Sequence, residues 1–137
     1  MNKLLAALTL AWSALGAWAV EVNFRPVADG VYAHIGDTGG RTVENEGLNA
    51  NIGLVVTSAG AVLIDSGATY ASASAIHEAV RRVTPQPVKW VVNTGGQDHR
   101  WLGNGYFSEA GAELIAHTNA VPDMRERGGD QLNVLQS

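Results

Sequence analysis

The sequence predicts a layered α/β fold, helices covering a sheet, and three observations carry that prediction. Past the first nineteen residues, the early part of the chain holds only short apolar runs broken by turn residues. After it, strand patterns and helix patterns alternate. Between the two lies a continuous apolar run, Val62-Leu63-Ile64, that ends at an aspartate, as a buried strand does where it delivers a polar residue to a loop.

The first nineteen positions are set apart from the rest. Met1 to Lys3 carries one positive charge, Leu4 to Gly16 is apolar, and Ala17-Trp18-Ala19 brings small residues to a cleavage point. This is the layout of a secretory signal peptide. As a membrane anchor the apolar run is well short of the ~20 residues that cross a bilayer. Cleavage after Ala19 is expected, leaving residues 20–137 as one periplasmic or secreted domain with no membrane attachment.

Phe24 to Val27 and Val31 to Ile35 read as two strands joined through Ala28-Asp29-Gly30, because Asp-Gly tolerates the positive φ of a tight turn. Gly36 to Asn49 is polar and glycine-containing, with no period of 2 or of 3.6, and reads as a long loop; such loops in compact domains are functional or mobile. Ile52 to Thr57 and Ala61 to Ile64 are strands around a Ser58-Ala59-Gly60 turn, the second covered on both faces. Tyr70 to Val83 is an amphipathic helix: Ala73, Ile76, Ala79, Val80 and Val83 share one face and Pro85 stops it. Val88 to Val92 is a further buried strand, Asn104 to Ala110 a short helix, and Glu113 to Ala116 another strand. Thr118 is placed to cap a helix from Asn119 to about Arg127. Leu132, Val134 and Leu135 then begin a new apolar pattern, and the chain ends two residues later with no cap, which is the expectation for a truncated chain, a frayed tail being the alternative.

Composition excludes some functions. The 13 acidic residues outnumber the 9 basic ones, removal of the leader takes away only Lys3, and the basic residues are scattered. Nucleic-acid binding needs a cationic stripe that releases counterions, so that class is set aside. The chain has no cysteine. An exported domain without disulfides relies on core burial or on a metal.

The residues suited to chemistry sit where strands end. Asp65 follows Val62 to Ile64, and Asp98 follows Val91-Val92 in the segment Val91-Val92-Asn93-Thr94-Gly95-Gly96-Gln97-Asp98-His99-Arg100-Trp101-Leu102-Gly103-Asn104. Ligands gather at carboxyl ends of strands in such sheets, where loops converge on a rigid base. Asp98 and His99 are the candidate catalytic and metal-ligating pair. Asp98 reads equally as a cap of the turn or helix before Trp101, and His99 as an ordinary loop histidine. Asp65 reads as a hydrogen-bond acceptor for backbone N–H groups of the next loop. His34 reads as a half-buried sheet residue, His77 and Arg81 as one surface helix face, and His117 as a packing residue at a strand end. Gly95-Gly96 suits a tight turn or an anion-holding nest.

These segments resemble the metallo-β-lactamase superfamily. In that family a strand ending in Asn-Thr leads to a His-x-His-x-Asp-His loop and a Gly-Asn before a helix; here Asn93-Thr94, Asp98-His99 and Gly103-Asn104 stand in those places. Asn51 to Thr57 with Gly60 to Gly67 resembles the family's early hairpin and first aspartate, and Ala112 to His117 the strand ending in Ala-His. The resemblance spans residues 24 to 128 and implies the first half of the family's αββα sandwich. It implies zinc-activated hydrolysis of an ester, thioester, amide or sulfate-type bond in a small-molecule substrate, with Asp98 and His99 serving the second zinc. The family's first two histidines fall at Thr94 and Gly96, or at Gly95 and Gln97 if a one-residue gap is allowed, and its other histidines come from loops beyond Ser137. A catalytic zinc takes three protein ligands and a water, so zinc is expected of a complete protein and weak or absent binding of this chain. Three readings remain: a hydrolase; a noncatalytic binding protein in which segment 36–49, Trp101 and Tyr106 hold a small molecule or a protein; and an inactive gene fragment. A half-sandwich also leaves sheet surface open to self-association.

Overall fold

A computed structural model describes residues 20–136; the signal-peptide expectation falls on residues 1–19, outside the described residues. Six strands form one sheet in sequence order: β1 (Arg25–Ala28), β2 (Val31–His34), β3 (Ile52–Thr57), β4 (Gly60–Ile64), β5 (Val88–Asn93) and β6 (Glu113–Ala116). The first four pair antiparallel, while β4, β5 and β6 run parallel. Parallel neighbours need crossovers, and helices supply them: α1 (Tyr70–Val83) between β4 and β5, then α2 (Asp98–Trp101) and α3 (Asn104–Glu109) between β5 and β6. A last helix, α4 (Ala120–Gln136), follows β6.

Local chemistry sets these boundaries. Gly30, at φ 68°, turns β1 into β2. Thr69 caps α1 by accepting the N–H of Ser72, whose hydroxyl accepts the N–H of Thr69 in return, so two N–H groups that the first helical turn leaves orphaned are satisfied. Thr84 then returns to extended backbone ahead of Pro85. The register aligns Leu54, Leu63, Val91 and Leu114 across β3 to β6 on one face. Ile76 and Val80 of α1 and Phe107 of α3 join the first three of these in the core, each at most 1% exposed. Burying a Phe or Leu side chain contributes roughly 1.5–3 kcal/mol, so this layer is what holds α1 and α3 to the sheet.

Four expectations need correction. β4 was expected to be covered on both faces, yet its burial alternates: Ala61 and Leu63 are buried, Val62 and Ile64 only half so. The same half-buried rows continue through Trp90 and Val92, and Ile115 at the sheet edge is 41% exposed. The final apolar pattern is no new element, because α4 runs on from Arg127 through Gly128-Gly129 to Gln136. Glycine disfavours helix by about 1 kcal/mol relative to alanine, but a Cβ on Gly128 would stand 3.1 Å from the Trp101 ring, so close packing on α2 outweighs propensity. His117 is exposed, not packed, and its Nδ1 accepts the N–H of Asn119 at the start of α4, where Thr118 was expected as the cap. His77 is half-buried against α3: its Nδ1 lies 3.1 Å from the Tyr106 hydroxyl, and burial lowers its pKa.

Candidate functional site

The parallel strands β4 and β5 end side by side, so the loops after Ile64 and Asn93 meet. Asp65 takes a left-handed backbone, φ 66°, and is 6% exposed. Its Oδ1 accepts the N–H of Thr94 at 2.7 Å and its Oδ2 accepts the Thr94 hydroxyl at 2.8 Å. The Thr94 hydroxyl accepts in turn from Arg100 at 3.0 Å. Asp65 thus orients the following loop, as one reading of the sequence expects.

Under that loop lies a frame built from the very pairs that flank it in sequence. The Asn104 amide donates to Asn93 Oδ1 at 2.8 Å, Asn93 donates to the Arg100 carbonyl at 2.6 Å, and the Ser66 hydroxyl donates to Asn104 Oδ1 at 2.8 Å. Gly103 gives its N–H to the Gly67 carbonyl, and any Cβ there would stand 2.0 Å from the Ser66 carbonyl oxygen. The Ser66, Asn93 and Asn104 side chains of this frame all have hydrogen-bond partners, as a rigid platform requires.

On the platform, Asp98 opens α2 and is 2% exposed. Its Oδ1 accepts the N–H of His99 at 2.8 Å and lies 3.3 Å from His99 Nδ1. Its Oδ2 lies 2.5 Å from a guanidinium nitrogen of Arg41, an ion pair without hydrogen-bond alignment. Burial lowers the His99 pKa, against which the Asp98 carboxylate pulls upward, while Arg100 and Arg41 add to the lowering. His99 Nδ1 and Asn49 Oδ1 are buried without a hydrogen-bond partner.

The candidate pair is therefore in contact, yet its members open onto different clefts. His99 shares a cleft of about 680 Å³ with Asp65, Thr94, Arg100, Asn49 and Asn51. Asp98 lines a smaller one, about 280 Å³, with Arg41, Gln97, Arg127 and Gln131. Trp101, expected near a ligand, is engaged instead by α4: its Nε1 donates to the Gly96 carbonyl and to Gln131 Oε1, both at 3.2 Å. Tyr106 packs edge-on against Tyr70, their ring centres 5.0 Å apart, on the helical side of the sheet.

Zinc does not fit the residues described. Among them no group of three or more His, Cys, Asp or Glu side chains is gathered to hold a metal. Thr94 is committed to Asp65 and Arg100. At Gly96 a Cβ would stand 2.1 Å from Asp123 Oδ2, and the Gly96 carbonyl is held by Gln131 Nε2 at 2.9 Å. In the gapped alternative, a Cβ at Gly95 would stand 3.3 Å from an Arg100 nitrogen, and Gln97, an exposed residue, is the N-cap just before α2. Arg41, Asp123 and Gln131 were not legible as site residues, for each reaches the loop from a distant part of the chain and none carries a local motif.

Residues 45–136 match the family model for the Metallo-beta-lactamase superfamily. The chain matches no curated protein. Among solved structures it is similar to the metallo-beta-lactamase FIM-1 from Pseudomonas aeruginosa in the mono-zinc form, at 19% identity and a TM-score of 0.68, over 82% of this chain and 49% of that one. It is similar also to a metallo beta lactamase from Hirschia baltica, at 22% identity and a TM-score of 0.66, over 79% of this chain and 48% of that one. A third, from Erythrobacter litoralis with beta mercaptoethanol in the active site, is 26% identical with a TM-score of 0.65, over 79% of this chain and 46% of that one. The chain spans about half the length of these structures.

Proposed function

Since this chain belongs to the metallo-beta-lactamase superfamily, we propose that it is an exported, metallo-hydrolase-like protein that keeps the family's cleft as a small-molecule site without assembling a metal centre from residues 20–136. Membership supports metallo-hydrolase-like function in general. The observation that carries the finer reading is the state of Gly96, whose side-chain space is taken by Asp123 and whose carbonyl is taken by Gln131. With Thr94 also committed, Asp98 and His99 are what remains, fewer than the three protein ligands of a catalytic zinc.

The larger cleft has the features of a small polar binding site. Its rim is fixed by the hydrogen-bonded set Asp65, Thr94 and Arg100, and its lining includes His99 and Asn49, whose Nδ1 and Oδ1 are buried without a hydrogen-bond partner. Such atoms cost roughly 1–3 kcal/mol each until something bonds them. A neutral molecule with hydroxyl or amide groups fits that need. A second reading, hydrolysis of an ester, thioester, amide or sulfate-type bond, is favoured by the 3.3 Å contact of Asp98 with His99, in which Asp98 is the acid/base or ligand carboxylate. Equilibrium dialysis against zinc separates the two. Well under one zinc per chain is expected for the wild type, unchanged in Asp98→Ala. One zinc per chain, lost in Asp98→Ala, overturns the binding reading in favour of the hydrolase.

Export rests on the charge, apolar core and Ala17/Ala19 pattern of the first nineteen residues. Protein recovered from a bacterial periplasmic fraction is expected to begin at Val20 on N-terminal sequencing; recovery in the cytoplasm with Met1 or Asn2 at its start refutes export. Leu114 and Ile115 on the edge strand β6, 40% and 41% exposed, support self-association as a further property of this domain.

A further inference from the structure

We propose that Arg41 is a built-in cation that occupies the charge-neutralising place at Asp98, latching segment 36–49 onto the site and keeping divalent metal out of it. The inference rests on the reading above that no metal centre is assembled. Its starting point is an electrostatic need: a carboxylate 2% exposed is expensive to bury without an opposite charge. Metallo-enzymes meet that need with the metal. Here a guanidinium nitrogen stands 2.5 Å from Asp98 Oδ2, and guanidinium stays charged at any pH a protein survives.

The segment that carries Arg41 has no helix or strand, but it is built to hold this position. Its ends are closed on each other: Gly36 donates its N–H to Asn51 Oδ1 at 3.1 Å, and a Cβ on Gly36 would stand 2.3 Å from the Ala50 carbonyl oxygen. Within it, Asn45 accepts the N–H of Thr42 and donates to the Gly40 carbonyl, both at 2.9 Å, fixing the backbone on either side of Arg41. Beyond it, the Thr69 hydroxyl at the start of α1 donates to Glu46 at 3.1 Å. Arg41 therefore reaches Asp98 from an anchored turn of the kind that compact surface loops form. A solvent-exposed ion pair contributes little, but in this pair one partner is buried, so loss of the other exposes the imbalance.

The test uses the full chain with zinc chloride as the probe, read by thermal unfolding and by equilibrium dialysis. Wild-type protein is expected to show no zinc-dependent shift. Arg41→Ala is expected to melt roughly 10 °C lower and to regain part of that loss with zinc. In Arg41→Ala/Asp98→Asn the zinc response disappears, and the melting point lies above that of Arg41→Ala alone. Should Arg41→Ala fail to fold, the double variant decides: recovery of folding supports the latch, and failure of both overturns it, since Arg41 would then act through packing. An Arg41→Ala protein that matches wild type in stability and takes up no zinc also overturns the proposal while leaving the metal-free reading intact. Stoichiometric zinc on the wild type instead overturns that reading itself.

Discussion

Asp65→Ala is expected to lower folding stability by about 3 kcal/mol, with Asp65→Asn costing only about 1 kcal/mol. The carboxylate is 6% exposed and accepts both the N–H and the hydroxyl of Thr94, at 2.7 and 2.8 Å. Hydrogen bonds to a charged group contribute roughly 1.5–3 kcal/mol net, and Thr94 itself is exposed enough for water to replace part of the loss. A second cost comes from the backbone. Asp65 sits at φ 66°, a region that Asp and Asn tolerate through local hydrogen bonding and alanine disfavours by about 1 kcal/mol. Asparagine keeps both the tolerance and an acceptor for the Thr94 N–H. Urea denaturation of the three proteins measures the differences, and an alanine variant within 1 kcal/mol of wild type contradicts the role given to Asp65. A typical domain is stable by only ~5–15 kcal/mol, so the expected loss is large enough to loosen the whole rim of the cleft.

What was legible in the sequence was what local chemistry decides. The helix Tyr70–Val83 and the strands Ile52–Thr57 and Glu113–Ala116 appear with the boundaries expected of them, because periodicity, caps and turn residues lie within a few positions of each other. β1 is displaced by one residue, leaving a two-residue Asp29-Gly30 turn in place of three. The short α2 was signalled only by Asp98 as a cap of a turn or helix before Trp101; its four residues are held by the platform, Ser66 donating its N–H to the Arg100 carbonyl at 3.0 Å. The course of α4 across Gly128-Gly129 was illegible for the opposite reason, since a local rule against glycine is overridden by the fit of Trp101 against Gly128.

The candidate site divides in the same way. Asn93, Thr94, Gly103 and Asn104 were legible as markers of the loop, and their part in the structure is to build the frame beneath it. Asp98 and His99 were legible as a pair and are in contact. The groups that decide what the pair can do, Arg41 at the carboxylate and Asp123 over Gly96, approach from the loop before β3 and from the helix after β6. Ion pairs and steric exclusion between remote segments leave no periodic trace. Lost histidines can be read from one loop, but whether their space remains open cannot.

That distinction makes a strong prediction about restoring the family motif. If substitution had merely removed ligands, Thr94→His/Gly96→His would return zinc binding. The packing around Gly96 requires a different result: zinc uptake stays well below one per chain and stability falls by about 3 kcal/mol, at the upper end of the ~1–3 kcal/mol usual for overpacking. A Cβ at position 96 would stand 2.1, 2.9 and 3.2 Å from Oδ2, Cγ and Cβ of Asp123, so the side chain of α4 must leave before an imidazole can enter. Its departure strains the hydrogen bond from Gln131 to the Gly96 carbonyl that holds α4 to the loop. Adding Asp123→Ala removes the obstructing oxygens and Cγ and is expected to recover at least about 1 kcal/mol of the stability lost to overpacking, and zinc uptake is expected to rise once Arg41→Ala is added as well. Because the φ of Gly96 is not in the left-handed region, the obstacle is space and not backbone conformation, which is why a substitution on a different helix can relieve it. Full zinc occupancy and wild-type stability in Thr94→His/Gly96→His with Asp123 intact would show that α4 yields freely and that the site is only missing its ligands.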